Sequence, residues 1–156
     1  MPKLHPIQIA LGLFAFACAC RPTPAVPATS TPSSGAQGMW TVELSQTGGL
    51  VGVDLDVQVT SEGQLVATNR RSGRTLSSRI TEAQSGELDS LYRAAISAQY
   101  ADRPSTCADC YIYQLTLSSG HESRTIRLDD ASMAGTAAEP LITFLIQLRD
   151  SALGEP

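Results

Sequence analysis

The stretch Tyr111–Asp130, YIYQLTLSSGHESRTIRLDD, decides the fold of this chain. Its first half alternates apolar and polar side chains, as a half-buried strand does. The apolar set is Tyr111, Tyr113, Leu115 and Leu117. Ser118, Ser119 and Gly120 then supply a turn, because glycine adopts positive φ without steric cost. Residues 125–128 return as a second strand. The stretch predicts an antiparallel hairpin, and the rest of the chain has to cover one of its faces.

Four more strands are predicted upstream of this hairpin. The clearest is Val51–Thr60, VGVDLDVQVT, in which every second residue from Val51 to Val59 is apolar. This period predicts one face on a core and one face in water. Weaker patterns between turn signals predict strands at Trp40–Leu44, Gln64–Asn69 and Arg74–Ile80. Together these strands form an antiparallel meander.

Two helices are predicted, one on each side of the hairpin in the chain. The first has an apolar stripe of Leu88, Leu91, Tyr92, Ala95 and Ile96, a start capped by Thr81 with Gln84 or Ser85, and an end near Gln99. The second begins at Pro140 and buries Leu141, Phe144, Leu145 and Leu148. Residues 129–136 are predicted to be a loop. This order predicts an α+β fold, an antiparallel sheet of about five or six strands with two helices packed on one face.

The N-terminus predicts export from the cytosol. Ile7–Ala17 runs eleven residues without a charge, which suits a signal peptide and is too short for a membrane-spanning helix. Cys18 and Cys20 each follow small residues, a pattern that resembles the lipobox of bacterial lipoproteins, whose cysteine is acylated. Cys20 is favoured because Phe16 is bulky for the second position before Cys18. The alternative is an ordinary secreted protein cleaved near Ala19.

Three regions follow from this pattern. Residues 1–19 are a predicted lipoprotein signal peptide, residues 20–38 a disordered linker rich in Pro, Ser and Thr, and residues 39–156 the α+β domain. The predicted location is the bacterial cell envelope, with the chain anchored to a membrane by its N-terminal lipid and facing the periplasm or the exterior. Anchoring by several acyl chains is stable, whereas one chain binds only marginally.

The charge balance argues against a nucleic-acid partner. The net charge is −4, and Lys3 and Arg21 are the only basic residues before Trp40, which leaves 9 basic and 15 acidic residues in the folded part. Phosphate binding requires a basic surface, so nucleic acid is excluded as a partner. The chain also has no phosphate-cradling glycine loop. We therefore predict no cofactor.

The pair Cys107 and Cys110 allows three interpretations. A redox pair needs its first cysteine at a helix N-terminus, whereas this pair follows a proline-containing loop and leads into a strand. A zinc site needs two further ligands, and His121 is the only histidine of the domain. A structural disulfide fits an oxidising compartment. We predict a disulfide, which stabilises a loop of this size by about 2 kcal/mol.

No catalytic or metal-binding group is predicted from the remaining residues. The chain has no G-x-S-x-G motif, and His121 lies beside a hairpin turn. Asp54 and Asp56 project from the wet face of a strand, where solvation explains them, and no loop has the ligand density that calcium requires. We expect a protein that is not an enzyme.

Gly48, Gly49, Leu50 and Gly52 form the candidate partner-binding segment. The simpler interpretation is structural, with Gly48-Gly49 as a tight turn between the first two strands. The functional interpretation is a backbone loop that approaches a partner closely, with Leu50 as an apolar anchor. Glycine permits that approach because it lacks a Cβ.

From Trp40 to Leu148 the chain resembles the emfourin family, small bacterial inhibitors of thermolysin-like metalloproteases such as protealysin. The matching segments are Thr47–Gly52 for a T/S-G-G-F-x-G-like turn, Leu88, Leu91 and Ala95 for L-x-x-L-x-x-x-A, Asp109, Tyr111 and Tyr113 for the hairpin, and Leu141, Leu145 and Leu148 for the terminal helix. Leu50 replaces the usual aromatic residue, and the cysteine pair, the lipoprotein leader and residues 70–80 are departures.

The resemblance implies a module that binds a protein and inhibits a protease by occlusion. The segment Gly48–Gly52 would enter the cleft, with Leu50 in an apolar subsite. The predicted partner is an extracellular or periplasmic protein such as a metalloprotease. The alternatives are a structural or scaffolding lipoprotein of the envelope and a CxxC redox protein.

Overall fold

This computed structural model describes residues 38–100 and 107–154. These residues contain six strands and three helices. They belong to one compact unit. The strands are β1 (Trp40–Gly48), β2 (Val53–Thr60), β3 (Gln64–Asn69), β4 (Arg74–Arg79), β5 (Tyr111–Ser119) and β6 (Glu122–Asp129). The helices are α1 (Glu82–Ser97), α2 (Asp130–Met133) and α3 (Glu139–Leu153).

The strands form one antiparallel sheet in the order β4-β3-β2-β1-β5-β6. Strand β1 lies inside the sheet and pairs with β2 on one side and β5 on the other. The stretch Tyr111–Asp130 contains the β5–β6 hairpin, in which Leu115 lies opposite Ile126. The predicted fold class, an antiparallel sheet with helices on one side, is confirmed.

The two faces of the sheet differ because the apolar side chains alternate along every strand. One face packs against α1 and α3 and contains the core, which includes Val42, Leu44, Val57, Val59, Leu115, Leu117, Leu88, Leu141 and Leu145. The other face is polar. One row across all six strands reads Thr75, Thr68, Asp56, Ser45, Gln114 and Arg127. The domain therefore has two layers, with the helices forming the second layer.

The sequence signals that start the long helices are confirmed. Thr81 accepts a hydrogen bond from the Gln84 backbone N–H at 3.2 Å, and Gln84 Oε1 accepts one from the Thr81 N–H at 2.9 Å. This reciprocal capping box satisfies two donors that the first turn leaves unpaired. In α3, Pro140 occupies the first turn, where its missing N–H costs nothing. Helix α1 ends at Ser97, two residues before the predicted end.

Helix α1 also binds the start of β1. The Trp40 and Tyr92 rings stack with centroids 4.8 Å apart, and Trp40 Nε1 donates to Asp89 Oδ1 at 3.1 Å. Arg93 also binds Asp89, and this ion pair, assisted by the Trp40 hydrogen bond, lowers the pKa of the Asp89 carboxyl.

Several local predictions are wrong. Strand β1 continues to Gly48, past its predicted end at Leu44. Strand β2 begins at Val53, so Val51 does not belong to its buried face. Residues 130–133 form the short helix α2 within the predicted loop, because the Asp129 side chain caps the Ser132 N–H at 2.7 Å.

Several predictions fall outside the described residues. They are the leader (1–19), the linker except Gly38, and the candidate lipidation sites Cys18 and Cys20. In residues 38–100 and 107–154, none of the helices is long and apolar enough to span a bilayer.

Candidate functional site

Gly49, Leu50, Val51 and Gly52 form the turn that joins β1 to β2, and we call it the Gly49–Gly52 turn. The Gly52 N–H donates to the Gly49 carbonyl at 3.0 Å, which closes the turn and places Leu50 and Val51 at its tip. Leu50 is 88% exposed and Val51 is 67% exposed. The predicted turn between the first two strands is present, but it spans Gly49–Gly52 and not Gly48-Gly49, because Gly48 still pairs with Val53.

Both glycines before the tip have backbone conformations that other residues rarely adopt. Gly48 has φ +91° and Gly49 has φ +70°. Each is also crowded, since a Cβ on Gly48 would lie 2.7 Å from the Cys110 carbonyl oxygen and a Cβ on Gly49 would lie 2.9 Å from Tyr111 Cδ1. The chain can therefore pass directly over the start of β5 only with glycine at these positions.

Arg71 supports the turn from the other side. Its guanidinium, on the turn between β3 and β4, donates to the carbonyls of Val51 and Gly52, the latter at 2.9 Å. Neighbouring Arg70 fixes the same region, because its backbone N–H donates to the Asp54 carbonyl at 2.9 Å and its side chain pairs with Asp56. The tip is therefore bound through its backbone, and both apolar side chains remain free.

The predicted disulfide between Cys107 and Cys110 is present, with the Cα atoms 5.5 Å apart. The Cys110 carbonyl accepts a hydrogen bond from the Gly49 N–H at 3.2 Å. The bond between the cysteines thus restrains the backbone that contacts the Gly49–Gly52 turn. This position gives the disulfide a structural role at the entry into β5.

Polar groups cluster where Gln46 of β1 lies opposite Tyr113 of β5. Gln46, Tyr113 and Arg149 are buried, whereas Asp130 is exposed. Arg149 of α3 donates to Gln46 Oε1 at 2.7 Å and pairs with Asp150. The Tyr113 hydroxyl donates to Asp130 Oδ1 at 2.9 Å, and Asp130 also accepts from the Tyr111 N–H at 2.8 Å.

Burial, and then the hydrogen bond to Asp130, raises the pKa of the Tyr113 phenol well above its usual value. These hydrogen bonds tie the start of β5 to α2, and they tie β1 to α3.

The other candidate residues do not converge on one site. His121 is exposed in the turn between β5 and β6, at the end of the sheet where β1 begins. Asp54 and Asp56 lie on the polar face beside Arg70. Across the described ranges, no three His, Cys, Asp or Glu side chains are placed to hold a metal ion.

The structure brings the predicted segment Gly48–Gly52 together with the Cys107–Cys110 pair, a proximity that neither local motif predicts. It also adds Val51, Tyr111 and Arg71 to the site. The G-x-x-G spacing at residues 49–52 is the sequence signal for a turn with two exposed central residues. No protein-family model matches the chain, and the search of curated proteins finds no match.

Proposed function

We propose that this chain is a non-enzymatic protein-binding module that inhibits thermolysin-like metalloproteases by inserting the Gly49–Gly52 turn into their cleft. The observation that carries the proposal is the exposure of two adjacent apolar side chains, Leu50 and Val51, on a turn whose backbone is bound from both sides. Exposed apolar groups at a tip are typical of interaction sites.

Preorganisation supports an inhibitory role. A flexible loop loses conformational entropy on binding, and this loss subtracts from affinity. Here Arg71, Tyr111 and the Cys110 carbonyl already restrain the turn in the free protein. Leu50 would act as the anchor in an apolar subsite, and Val51 would cover its rim. The protease class comes from the resemblance to the emfourin family.

The test is titration of a thermolysin-like protease with the full chain in mild detergent. We expect inhibition at micromolar concentrations, and Leu50→Asp should raise the inhibition constant roughly 30-fold, since an apolar anchor contributes about 2 kcal/mol. Met39→Asp is the matched control, because Met39 is also exposed (75%) but lies just before the opposite end of β1. Full protease activity at those concentrations, or equal effects of both variants, contradicts the proposal.

We also propose that the module is held at the bacterial envelope by an acylated cysteine. The support is the leader pattern, with small residues before Cys18 and Cys20 and a proline-rich stretch after them. Mass spectrometry of the mature N-terminus should find acyl chains on Cys20, or on Cys18 if the first copy is cleaved. An unmodified N-terminus near Ala19 would instead identify an ordinary secreted protein.

A further inference from the structure

Strand β4 is an edge of the sheet. It pairs with β3 on one side, and no described strand pairs with its other side. Its residues are exposed except for Leu76, which packs on the core. An edge of this kind presents unpaired backbone groups in the repeat that a further strand requires.

The groups that point outward can be identified. The Ile80 N–H donates to the Gly63 carbonyl at 3.0 Å, which marks Gly63 and Ile80 as a hydrogen-bonded pair. In antiparallel strands such pairs alternate with non-bonded pairs, so Ser78, Leu76 and Arg74 also face β3. Thr75, Ser77 and Arg79 therefore direct their backbone N–H and C=O groups away from the sheet.

This edge is basic although the domain is acidic overall. Arg71, Arg74 and Arg79 lie along β4 and the turn before it, and each guanidinium donates to a backbone carbonyl, those of Val51 and Gly52, Leu153, and Glu62 respectively. No described carboxylate forms an ion pair with any of the three, in contrast to Arg70. Their positive charge is therefore not neutralised locally.

We propose that the β4 edge binds an extended acidic segment of a partner protein, which adds to the sheet as a seventh strand. The backbone groups of Thr75, Ser77 and Arg79 would supply the main-chain hydrogen bonds, and this is how strand addition gains affinity. Arg74 and Arg79 would select carboxylate side chains, because charge complementarity gives specificity. A second copy is a poorer occupant, since pairing two β4 edges brings four arginines to one seam.

The experiment uses the full chain in mild detergent and a labelled peptide of six residues, the length of β4, with alternating glutamate and valine. A lysine–valine peptide is the control ligand. We expect the acidic peptide to bind about tenfold more tightly, as two exposed ion pairs allow. Amide hydrogen exchange at Thr75, Ser77 and Arg79 should slow when the acidic peptide is present.

The variant Ser77→Pro tests whether the acidic peptide binds at the β4 edge or at another basic surface. Proline removes the outward N–H and blocks an approaching strand, while the bonds to β3 stay intact because residue 77 does not make them. We expect at least a tenfold loss of acidic-peptide binding for Ser77→Pro, and none for the matched variant Ser77→Ala, which keeps the N–H. The Leu50→Asp variant should bind the acidic peptide with wild-type affinity. A failure of the β4-edge proposal can therefore be told apart from a failure of the proposed protease inhibition.

Four results would overturn the proposal. The first is equal binding of the acidic and basic peptides, and the second is wild-type affinity in a folded Ser77→Pro variant. The third is a concentration-dependent dimer that Ser77→Pro abolishes, since it would assign the edge to a second copy of this chain. Protection confined to amides elsewhere in the sheet also contradicts the assignment of the site.

Discussion

At Gly49 two separate requirements exclude a side chain. The backbone has φ +70°, and the Tyr111 ring occupies the space where a Cβ would project. Gly120, in the turn between β5 and β6, has a similar φ of +59°, but apart from Gly120 and its two chain neighbours no residue lies within 4 Å of the point that its Cβ would occupy. A comparison of the two glycines therefore separates the energetic cost of a positive φ from the cost of a steric clash with Tyr111.

We expect Gly120→Ala to lower the free energy of unfolding by about 1 kcal/mol, the cost of the left-handed conformation alone. Gly49→Ala should lose about 2–4 kcal/mol, because overpacking against Tyr111 adds to that cost. Urea unfolding of the two variants measures the difference. Adding Tyr111→Ala to Gly49→Ala should recover part of the additional loss of stability. Equal losses for Gly49→Ala and Gly120→Ala would show that the Tyr111 ring moves aside at no energetic cost.

At the level of elements, local patterns predict the strands and long helices well. The alternation from Val53 to Val59 and the Thr81–Gln84 cap are both seen in the structure. The alternation also continues through Val51, although the hydrogen bond from Gly52 to Gly49 closes a turn there and the strand begins only at Val53. Helix α2 has a local cap at Asp129 and Ser132, but its four residues are too few to show a helical period.

The candidate site is only half predictable for a physical reason. The segment Gly48–Gly52 and the cysteine pair each have a local signature in the sequence. Their contact depends on β1 pairing with β5, which joins Gly48 to Tyr111 across more than sixty residues of chain. Arg71 reaches the turn through the β2–β3 pairing. Such long-range pairings follow from the whole sheet, and no short motif encodes them.

For the molecule as a whole, Tyr113 links the sheet to the helical layer. It is 5% exposed, and its hydroxyl donates to Asp130 of α2. Burial raises the pKa of the phenol, and the positive charge of Arg149 of α3 lowers it by a smaller amount. Burial and Asp130 dominate and raise the pKa of the phenol, so the folded protein holds this proton more tightly than the unfolded chain does. The stability that this proton contributes is therefore fully present below pH 10, and it is lost progressively as the pH rises above 10.

We expect the free energy of unfolding to fall as the pH rises above about 10, where the unfolded chain releases the Tyr113 proton and the folded protein retains it. One such group gives a slope of about 1.4 kcal/mol per pH unit. Tyr113→Phe should remove most of that slope, while costing about 1 kcal/mol at neutral pH through the lost hydrogen bond. Urea unfolding across this range measures both. Tyr92→Phe is the comparison, with a smaller change in slope, and an unchanged slope in Tyr113→Phe would contradict the assignment.

Strand β1 separates the entry of the chain from the Gly49–Gly52 turn. The chain enters the described domain just before Trp40, and the turn follows Gly48, which places the two ends of β1 roughly 26 Å apart at an ordinary strand rise. A dye, an affinity tag or a solid support coupled at Met39 would therefore attach at the opposite end of β1 from Leu50 and Val51. On a sensor chip, attachment through this end would leave the Gly49–Gly52 turn facing proteins in solution.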